Sequence, residues 1–328
     1  MIEALWPPTP APLGGDRPDV VGFGEALVLL QPPAGASLAT MSAVEVHVAG
    51  AELNVCAAVA ALGGSSVLCT RLGDDPLGQR VLNGAARLGV RLAADRDPNR
   101  PTGVYFKDVR DDGARHVYYY RSTSAAAAMT SADAERGLAL RPRAVVVSGL
   151  TAALGPGPAA LVRHVGLSAR QHGAALVMDV NLRKQLGRLD EVHNVLADLL
   201  PHTDLLIVGT DESKRLLGSS DPKKLAHAAL NAGCREVVVK AGADGCWWID
   251  QDGTPRHEPS AADAVVDPVG GGDAFSGGYL SARLSGADES AAARLASVLA
   301  ARVIAATGDT AGLPDPVEGR RLMADLCL

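Results

Sequence analysis

The chain passes from strand to helix at Asp267-Pro268-Val269-Gly270-Gly271-Gly272-Asp273, which follows the strand-like stretch 264–266. Three successive glycines leave backbone N–H groups bare at a helix N-terminus, which carries roughly half a positive charge. The segment therefore predicts an anion site at the turn of a strand–helix unit. A second explanation stays open on local sequence, in which the glycines form an ordinary turn and Asp273 caps the helix.

Outward from this turn, β-branched runs alternate with Ala- and Leu-rich stretches from Val20 onward, which is typical of βαβ units around a mainly parallel sheet. With 328 residues, 47% hydrophobic and only 3% aromatic, the composition favours helices packed on Val-rich strands over an all-β fold. The pattern predicts strands at 144–148, 175–179, 205–208 and 236–240, and helices at 53–62, 157–172, 189–199, 222–232, 274–283 and 289–306.

Two regions interrupt this alternation, because strands are predicted there without helices between them. They contain 25–31 and 44–48, and then 104–110 and 115–121, which flank the hairpin turn Asp111-Asp112-Gly113. We expect a small second sheet, from about 25–49 and 103–122, that covers a ligand as a lid. Residues 1–19 hold five prolines among small residues and are expected to be a flexible extension of a 20–328 domain.

Charge and cysteine content exclude several classes of protein. A net charge of −6 argues against nucleic acid as a partner, so a phosphate site must rely on local groups. The five cysteines are widely spaced without a Cys-x-x-Cys pair, which indicates neither a disulfide framework nor a zinc site and fits the reducing cytoplasm. No apolar stretch approaches the roughly 20 residues of a membrane helix. We expect a soluble, cytoplasmic protein without a membrane partner.

Phosphoryl transfer is the chemistry that the glycine segment suits. This reaction depends on positioning, on neutralising charge, and on one carboxylate that accepts a hydroxyl proton. Asp273, directly after the glycines, is placed for that role. The P-loop motif does not occur, and Leu27 replaces the third glycine of a dinucleotide fingerprint after Gly22 and Gly24, which disfavours P-loop and NAD enzymes.

Several separated segments resemble the ribokinase-like (PfkB) carbohydrate kinases, and together they span Val20 to about Pro314. The segments 49–55, 62–64 and 71–78 are similar to the N-terminal signature of that family, and 267–278 is similar to its C-terminal signature. The resemblance implies a three-layer α/β/α sandwich with a β-sheet lid, and a kinase that uses ATP and Mg²⁺. By this likeness Gly50, Ala51 and Asn54 line the sugar site, Gly270, Gly271 and Gly272 form the anion hole, and Asp273 is the catalytic base.

The nucleotide side of the resemblance lies in two other segments. The stretch 240–245 is similar to a glycine-rich turn beside the nucleotide, which implies contacts from Lys240, Gly242 and Gly245 as well as from Gly270 and Gly272. Glu212 matches the glutamate that orients Mg²⁺ through water, although Gly209 stands where that motif has an asparagine.

The resemblance also bears on ions and assembly. The family includes members with a monovalent cation such as K⁺ near the Asp267 loop, and the sequence does not decide whether one binds here. Because family members commonly pair their lids between subunits, a homo-oligomer is expected by analogy.

The segments 118–126, 179–183 and 308–314 resemble segments of the 2-keto-3-deoxygluconate kinases, and within the family the sequence is most similar to these kinases of a sugar acid. A carboxylate on the substrate calls for a planar charged donor, which Arg121 or Arg183 supplies. Strand alternation places Tyr119 and Arg121 on one face, while Tyr118 and Tyr120 point the other way and are expected to pack. The implied substrate contacts are Tyr105, Tyr119, Arg121, Arg183 and Asp309, and the 179–183 element also places Asn181 and Arg183 toward the nucleotide.

Three functions stay open on the sequence. The first is the kinase of 2-keto-3-deoxygluconate, which phosphorylates it to the 6-phosphate, and the second is a related kinase of fructose or a nucleoside. Arg121 and Arg183 favour the acid. The third is a sugar-binding regulator without catalysis, against which the intact glycine turn and Asp273 argue.

Overall fold

Two β-sheets and the helices around them make up the computed structural model, which describes residues 12–33, 36–109, 115–250 and 252–327. Residues 1–11 of the predicted extension and the predicted turn 111–113 lie outside the described residues. The strands are β1 (Val20–Phe23), β2 (Leu27–Gln31), β3 (Glu45–Ala49), β4 (Ser66–Gly73), β5 (Arg91–Asp97), β6 (Val104–Val109), β7 (Arg115–Tyr120), β8 (Ala144–Ser148), β9 (Ala175–Asp179), β10 (Leu205–Gly209), β11 (Glu236–Lys240), β12 (Cys246–Ile249) and β13 (Pro255–Glu258). The helices are α1 (Ala51–Ala61), α2 (Pro76–Arg87), α3 (Ser131–Leu138), α4 (Gly149–Ala152), α5 (Pro156–Ser168), α6 (Leu189–Leu199), α7 (Thr210–Leu217), α8 (Pro222–Asn231), α9 (Gly271–Ser285), α10 (Glu289–Ile304) and α11 (Pro316–Cys327).

The larger sheet has the strand order β13-β12-β11-β10-β9-β8-β1-β4-β5. Its strands from β11 to β5 are parallel to their neighbours, whereas β12 and β13 pair antiparallel. The predicted strands 144–148, 175–179, 205–208 and 236–240 are confirmed, with β10 one residue longer. Because parallel strands end at the same edge of a sheet, the residues that follow β9, β10 and β11 lie together.

The core lies on both faces of this sheet, because successive side chains of a strand point to opposite sides. On β8, Ala144 and Val146 belong to one apolar cluster, and Val145 and Val147 to the other. The first cluster includes residues of α1, α9 and α10, and the second includes residues of α5, α6 and α8. Each fully buried valine contributes about 1.5–3 kcal/mol relative to an exposed one. The predicted α/β/α sandwich is confirmed.

The state of the cysteines and the character of the helices bear on the predictions about disulfides and membrane helices. All five cysteines are free, and four are buried. Burial raises the pKa of Cys56, Cys69, Cys234 and Cys246 to about 12, so these thiols stay protonated near neutral pH. Within the described ranges, every helix is too short or too polar to cross a membrane.

The smaller sheet has the order β3-β2-β6-β7 and contains the four strands predicted outside the βαβ alternation. Strand β2 pairs antiparallel with β3 and parallel with β6, which pairs antiparallel with β7. The inner face carries a small apolar cluster of Leu27, Leu29, Ala49 and Tyr105. This cluster is far smaller than the two clusters of the larger sheet.

The outer face of the smaller sheet differs from its prediction. Tyr118 and Tyr120 were expected to pack, but their exposed fractions are 38% and 67%. Tyr120 makes an edge contact with Phe106 at 5.5 Å between ring centroids. Alternation assigned the correct face, and the expectation of packing was wrong for Tyr120 because helix α2 packs on this face at β2 and β3, away from the edge strand β7.

Candidate active site

The glycine turn forms the start of α9. Gly270 is its N-cap residue, with φ of 83°, and a Cβ atom there would come within 2.1 Å of the Asp309 carbonyl oxygen. Only glycine fits this close approach between the turn and the loop after α10. The helix begins at Gly271, so Asp273 is its third residue and no side chain caps the helix. The explanation of Asp273 as the helix cap is therefore wrong, because its carboxylate does not cap α9.

Asp273 lies at the cavity wall and is only partly exposed. Asn54 Nδ2 donates a hydrogen bond to Asp273 Oδ2 at 2.8 Å, from the first turns of α1. Desolvation raises the pKa of Asp273 to about 7, helped by the nearby Asp179 carboxylate and opposed by Asn54, Arg183 and Lys240. A carboxylate with a pKa near neutrality is well matched to accepting a hydroxyl proton.

A cavity of about 460 Å³ lies between the carboxyl ends of the parallel strands and the inner face of the smaller sheet. This position is the usual ligand site of open α/β sheets. Most of the predicted site residues lie in its wall, namely Gly50, Ala51, Asn54, Tyr105, Tyr119, Arg121, Asn181, Arg183, Glu212, Lys240, Gly242, Gly270, Gly272, Asp273 and Asp309.

A second cavity of about 340 Å³ adjoins the first at Lys240, Gly242 and Gly272. It contains the two remaining predicted residues, Gly245 and Gly271. The rest of its wall is largely apolar and was not predicted; it includes Ala262, Val265, Pro268, Phe275, Ala300 and Ile304. In the structure, Val265 has an exposed fraction of 60%, which is high for an aliphatic residue beside a glycine turn.

Lys240 brings a positive charge to the junction of the two cavities. Its Nζ lies 3.0 and 3.2 Å from the Asp179 carboxylate oxygens, and Ser276 Oγ donates to Asp179 Oδ2 at 2.7 Å. Although burial alone would lower it, the carboxylates of Asp179 and Glu212 raise the pKa of Lys240. Lys240 therefore stays charged, beside the Gly272 backbone. Asp179 was not predicted as its partner.

Glu212 is the one predicted metal-side residue. Burial raises its pKa, which the cations of Lys240 and Arg183 oppose. Its Oε2 atom is buried without a hydrogen-bond partner among the described residues. An orphaned carboxylate oxygen in the cavity wall fits Mg²⁺ held through water, and no group of three or more metal-ligating side chains occurs in the described ranges. Mg²⁺ usually keeps several waters and takes substrate phosphates as ligands, so one carboxylate is sufficient.

The smaller sheet contributes the other wall of the large cavity. Tyr105 donates from its hydroxyl to Asp309 Oδ2 at 3.1 Å, and the Arg121 guanidinium lies over the Tyr119 ring at 5.5 Å. Arg121 Nε donates to Glu25 Oε2, an unpredicted buried partner. Arg121 Nη2 is buried and has no hydrogen-bond partner among the described residues. A donor is therefore available for a ligand.

The loop after β9 supplies two further groups. Asn181 has φ of 33°, an uncommon value for a residue other than glycine, and its Oδ1 atom is buried without a partner in the described structure. Strained backbone of this kind persists where the surroundings hold it, often at ligand sites. Arg183 is exposed at the cavity rim.

Comparison with known proteins identifies the family. The model of the pfkB family carbohydrate kinases matches residues 17–316. The chain is 30% identical over 312 residues to the 2-dehydro-3-deoxygluconokinase of Thermoproteus tenax, covering 94% of both chains. It is 28% identical over 304 residues to the 2-dehydro-3-deoxygalactonokinase of Haloferax volcanii, covering 92% of this chain and 95% of that relative. The solved structure of 2-dehydro-3-deoxygluconokinase from Thermotoga maritima has a TM-score of 0.81 at 25% identity, covering 94% of this chain and 98% of that one. The chain belongs to the pfkB family and is an ATP-dependent carbohydrate kinase.

Proposed function

We propose that the sugar is an acid, 2-keto-3-deoxygluconate (2-dehydro-3-deoxygluconate), and that the product is its 6-phosphate. The observation that carries this proposal is Arg121 Nη2, a buried guanidinium donor that has no partner among the described residues, on an arginine in the wall of the large cavity. An unpaired buried donor is costly, and a carboxylate offers the acceptor that completes it. Arg183 at the rim adds a second positive charge. The substrates named for the relatives support the same assignment.

Asp273 acts as the base in this proposal. Its carboxylate accepts the proton of the acceptor hydroxyl, whose oxygen forms a bond to the γ-phosphorus as the bond from that phosphorus to ADP breaks. The N–H groups of Gly270, Gly271 and Gly272 are placed at a helix N-terminus to stabilise the charge on the transferring group. The proton transfer to Asp273 and the phosphoryl transfer thus take place next to each other, at the start of α9.

The nucleotide occupies the adjoining smaller cavity in this proposal. Its apolar wall, including Val265 and Phe275, suits an aromatic base, and Lys240, Gly242 and Gly245 lie along the path to the phosphates. Mg²⁺, when bound, neutralises phosphate charge, and Glu212 would hold it through water. The positive charge of Lys240 opposes the remaining negative charge of the phosphates.

The sugar hydroxyls are assigned to residues on both walls. Gly50, Ala51 and Asn54 at the start of α1 and Asp309 after α10 line the cavity beside Asp273. The smaller sheet, from about 25–49 and 103–122 of the 20–328 domain, acts as a lid that excludes water as a competing acceptor. The exposed Tyr120 on its outer face supports pairing of lids in a homo-oligomer, and the free cysteines support a cytoplasmic protein.

The test is ADP release on five acceptors: 2-keto-3-deoxygluconate, its galactose-type epimer, fructose, ribose and adenosine. We expect the highest kcat/KM on one of the two acids. Equal or greater kcat/KM on a neutral sugar would overturn the acid assignment and favour a kinase of fructose or a nucleoside. Binding of a sugar without ADP release from any acceptor would favour the regulator. The ratio between the two acids reports which epimer the cavity selects.

A further inference from the structure

Lys107 is a buried lysine that lies between two acidic loops of the active site. It is on β6, two residues after Tyr105 and on the same inner face of the smaller sheet. Its side chain is only 3% exposed, and Nζ contacts the Asp267 carboxylate and lies 3.9 Å from Asp309 Oδ1. A buried lysine requires paired negative charge, which these two residues supply. Nothing in the local sequence indicated this contact.

The two acids hold the loops on either side of the glycine turn. Asp267 Oδ1 accepts a hydrogen bond from the Val269 N–H at 3.2 Å, which shapes the chain entering Gly270. The Asp309 carbonyl oxygen fits against Gly270 so closely that no Cβ is tolerated there. The position of the bare amides therefore depends on where Asp267 and Asp309 are held, and Lys107 is the cation between them.

The same place is where family resemblance suggests a monovalent cation such as K⁺. The residues here do not fit one, because the Asp267 carboxylate already binds an ammonium group and a second cation on it would be repelled. Asp309 Oδ1 is buried without a hydrogen-bond partner among the described residues, but the Lys107 ammonium group lies 3.9 Å from it and supplies the positive charge there, and Tyr105 already donates to its Oδ2. Among the described residues, the Lys107 charge thus opposes the charges of both acidic loops.

We propose that Lys107 replaces the monovalent cation: its ammonium group positions the anion-hole turn from the lid sheet, and the enzyme needs no added K⁺. Lys107 is a positioning residue, since it contacts Asp267 and Asp309 rather than a reacting atom. An ammonium group carries the same single charge as K⁺ but stays attached to the chain. It also connects β6 of the smaller sheet to the two loops around Gly270, through Asp267 and Asp309. The inference rests on the kinase activity and not on which sugar is phosphorylated.

The first experiment compares KCl with tetramethylammonium chloride at equal ionic strength. We expect the kcat of the unaltered enzyme to differ less than twofold between the two salts. Lys107→Ala is expected to lose about 100-fold in kcat in tetramethylammonium chloride, because the glycine turn is misplaced. Added NH₄Cl or KCl should restore part of that activity, since a small cation can enter the vacated space. Lys107→Met fills the space without charge and should stay slow in every salt. Lys224→Ala, at an exposed lysine, is the matched control and should behave as the unaltered enzyme.

A second readout does not depend on turnover. Thermal unfolding in the same salts should show a K⁺-specific rise in Tm for Lys107→Ala and none for the unaltered protein or for Lys107→Met. Several-fold activation of the unaltered enzyme by K⁺, or full activity of Lys107→Met, would overturn the proposal. If Lys107→Ala does not fold, the salt comparison on the unaltered enzyme still decides. If no sugar is phosphorylated, the acid assignment fails while the unfolding comparison continues to test Lys107.

Discussion

The two walls of the large cavity are built in different ways. The wall from the nine-stranded sheet rests on apolar clusters on both of its faces, and it holds Asp273 and Lys240. The wall from the four-stranded sheet has large apolar support on its outer face only, where β2 and β3 pack on the first cluster, and its inner face carries a small cluster. Charged and polar contacts, such as Tyr105 with Asp309, join that inner face to the rest of the site. Burial of aliphatic side chains on both faces fixes the first wall, whereas the cavity-facing side of the second depends more on a few buried polar pairs.

This difference suggests a division of labour. Groups that perform the phosphoryl transfer need positions accurate to a fraction of an ångström, which a large core provides. Under the proposed function, the groups that select and cover the substrate lie on the element with less apolar support, from which mobile lids are usually drawn. Changes at the buried groups of the first wall should therefore slow every substrate, and changes at the substrate-facing groups of the second should alter the preference among substrates.

The largest expected effect comes from Asp273→Asn on the first wall. Removing the base should lower kcat by about 10²–10⁴-fold on every accepted sugar, while the Kd for ATP stays nearly unchanged. ADP release gives kcat, and calorimetric titration gives the Kd. Asp288→Asn is the matched control, because Asp288 is an exposed N-cap of α10 and asparagine caps equally well. Substantial residual kcat in Asp273→Asn would remove Asp273 from the role of base.

A smaller and selective effect is expected from Arg121→Lys on the second wall. Lysine cannot keep the Glu25 contact and also offer the planar second donor, so kcat/KM on the acid should fall by about 10- to 100-fold. The neutral sugars should lose less. Arg183 is an exception on the first wall, because it lies exposed at the cavity rim. Arg183→Lys should weaken the acid preferentially too, but by less than Arg121→Lys, because solvent screens the charge of Arg183. Equal slowing of acid and neutral sugars by Arg121→Lys would mean that Arg121 serves the fold.

Local sequence predicted the first wall better than the second. The βα alternation and the glycine turn are patterns of neighbouring residues, and so the nine-stranded sheet and the place of Asp273 could be inferred. The key contacts of the second wall join distant residues: Arg121 pairs with Glu25 across 96 positions, and Lys107 with Asp267 across 160. Such pairs leave no periodic signal in one sequence.

The outer face of the smaller sheet shows a different limit of prediction. Alternation placed Tyr118 and Tyr120 opposite Tyr119, as the structure has them, because the period of a strand is fixed by backbone geometry. Whether a face is covered depends on what else packs there, and nothing local encodes that. The sequence likewise predicts that α9 starts near Asp273, because glycines are poor helix formers. The helix begins two residues earlier, at Gly271, so the tertiary structure overrides that propensity here.

The smallest of these effects is the pH dependence that the first wall imposes. Asp273 must be ionised to accept a proton, and desolvation raises its pKa to about 7. As pH rises through 7, the ionised fraction grows, and kcat/KM on the acid should increase about tenfold between roughly pH 6 and pH 8. An ordinary aspartate would already be ionised at both values. Initial rates in buffers of constant ionic strength measure this profile.

Lys240→Met tests whether the midpoint belongs to Asp273. The Lys240 cation lowers the pKa of Asp273, whereas the Asp179 carboxylate that it neutralises raises it, so removing the cation should move the midpoint to higher pH. Arg121→Lys, on the other wall, should lower kcat/KM and leave the midpoint in place, because Arg121 is not among the main influences on that pKa. A flat profile in the unaltered enzyme, or an equal displacement by both variants, would contradict the assignment. The position of the midpoint, unlike the size of the rate loss, separates a group that tunes the base from one that only holds the substrate.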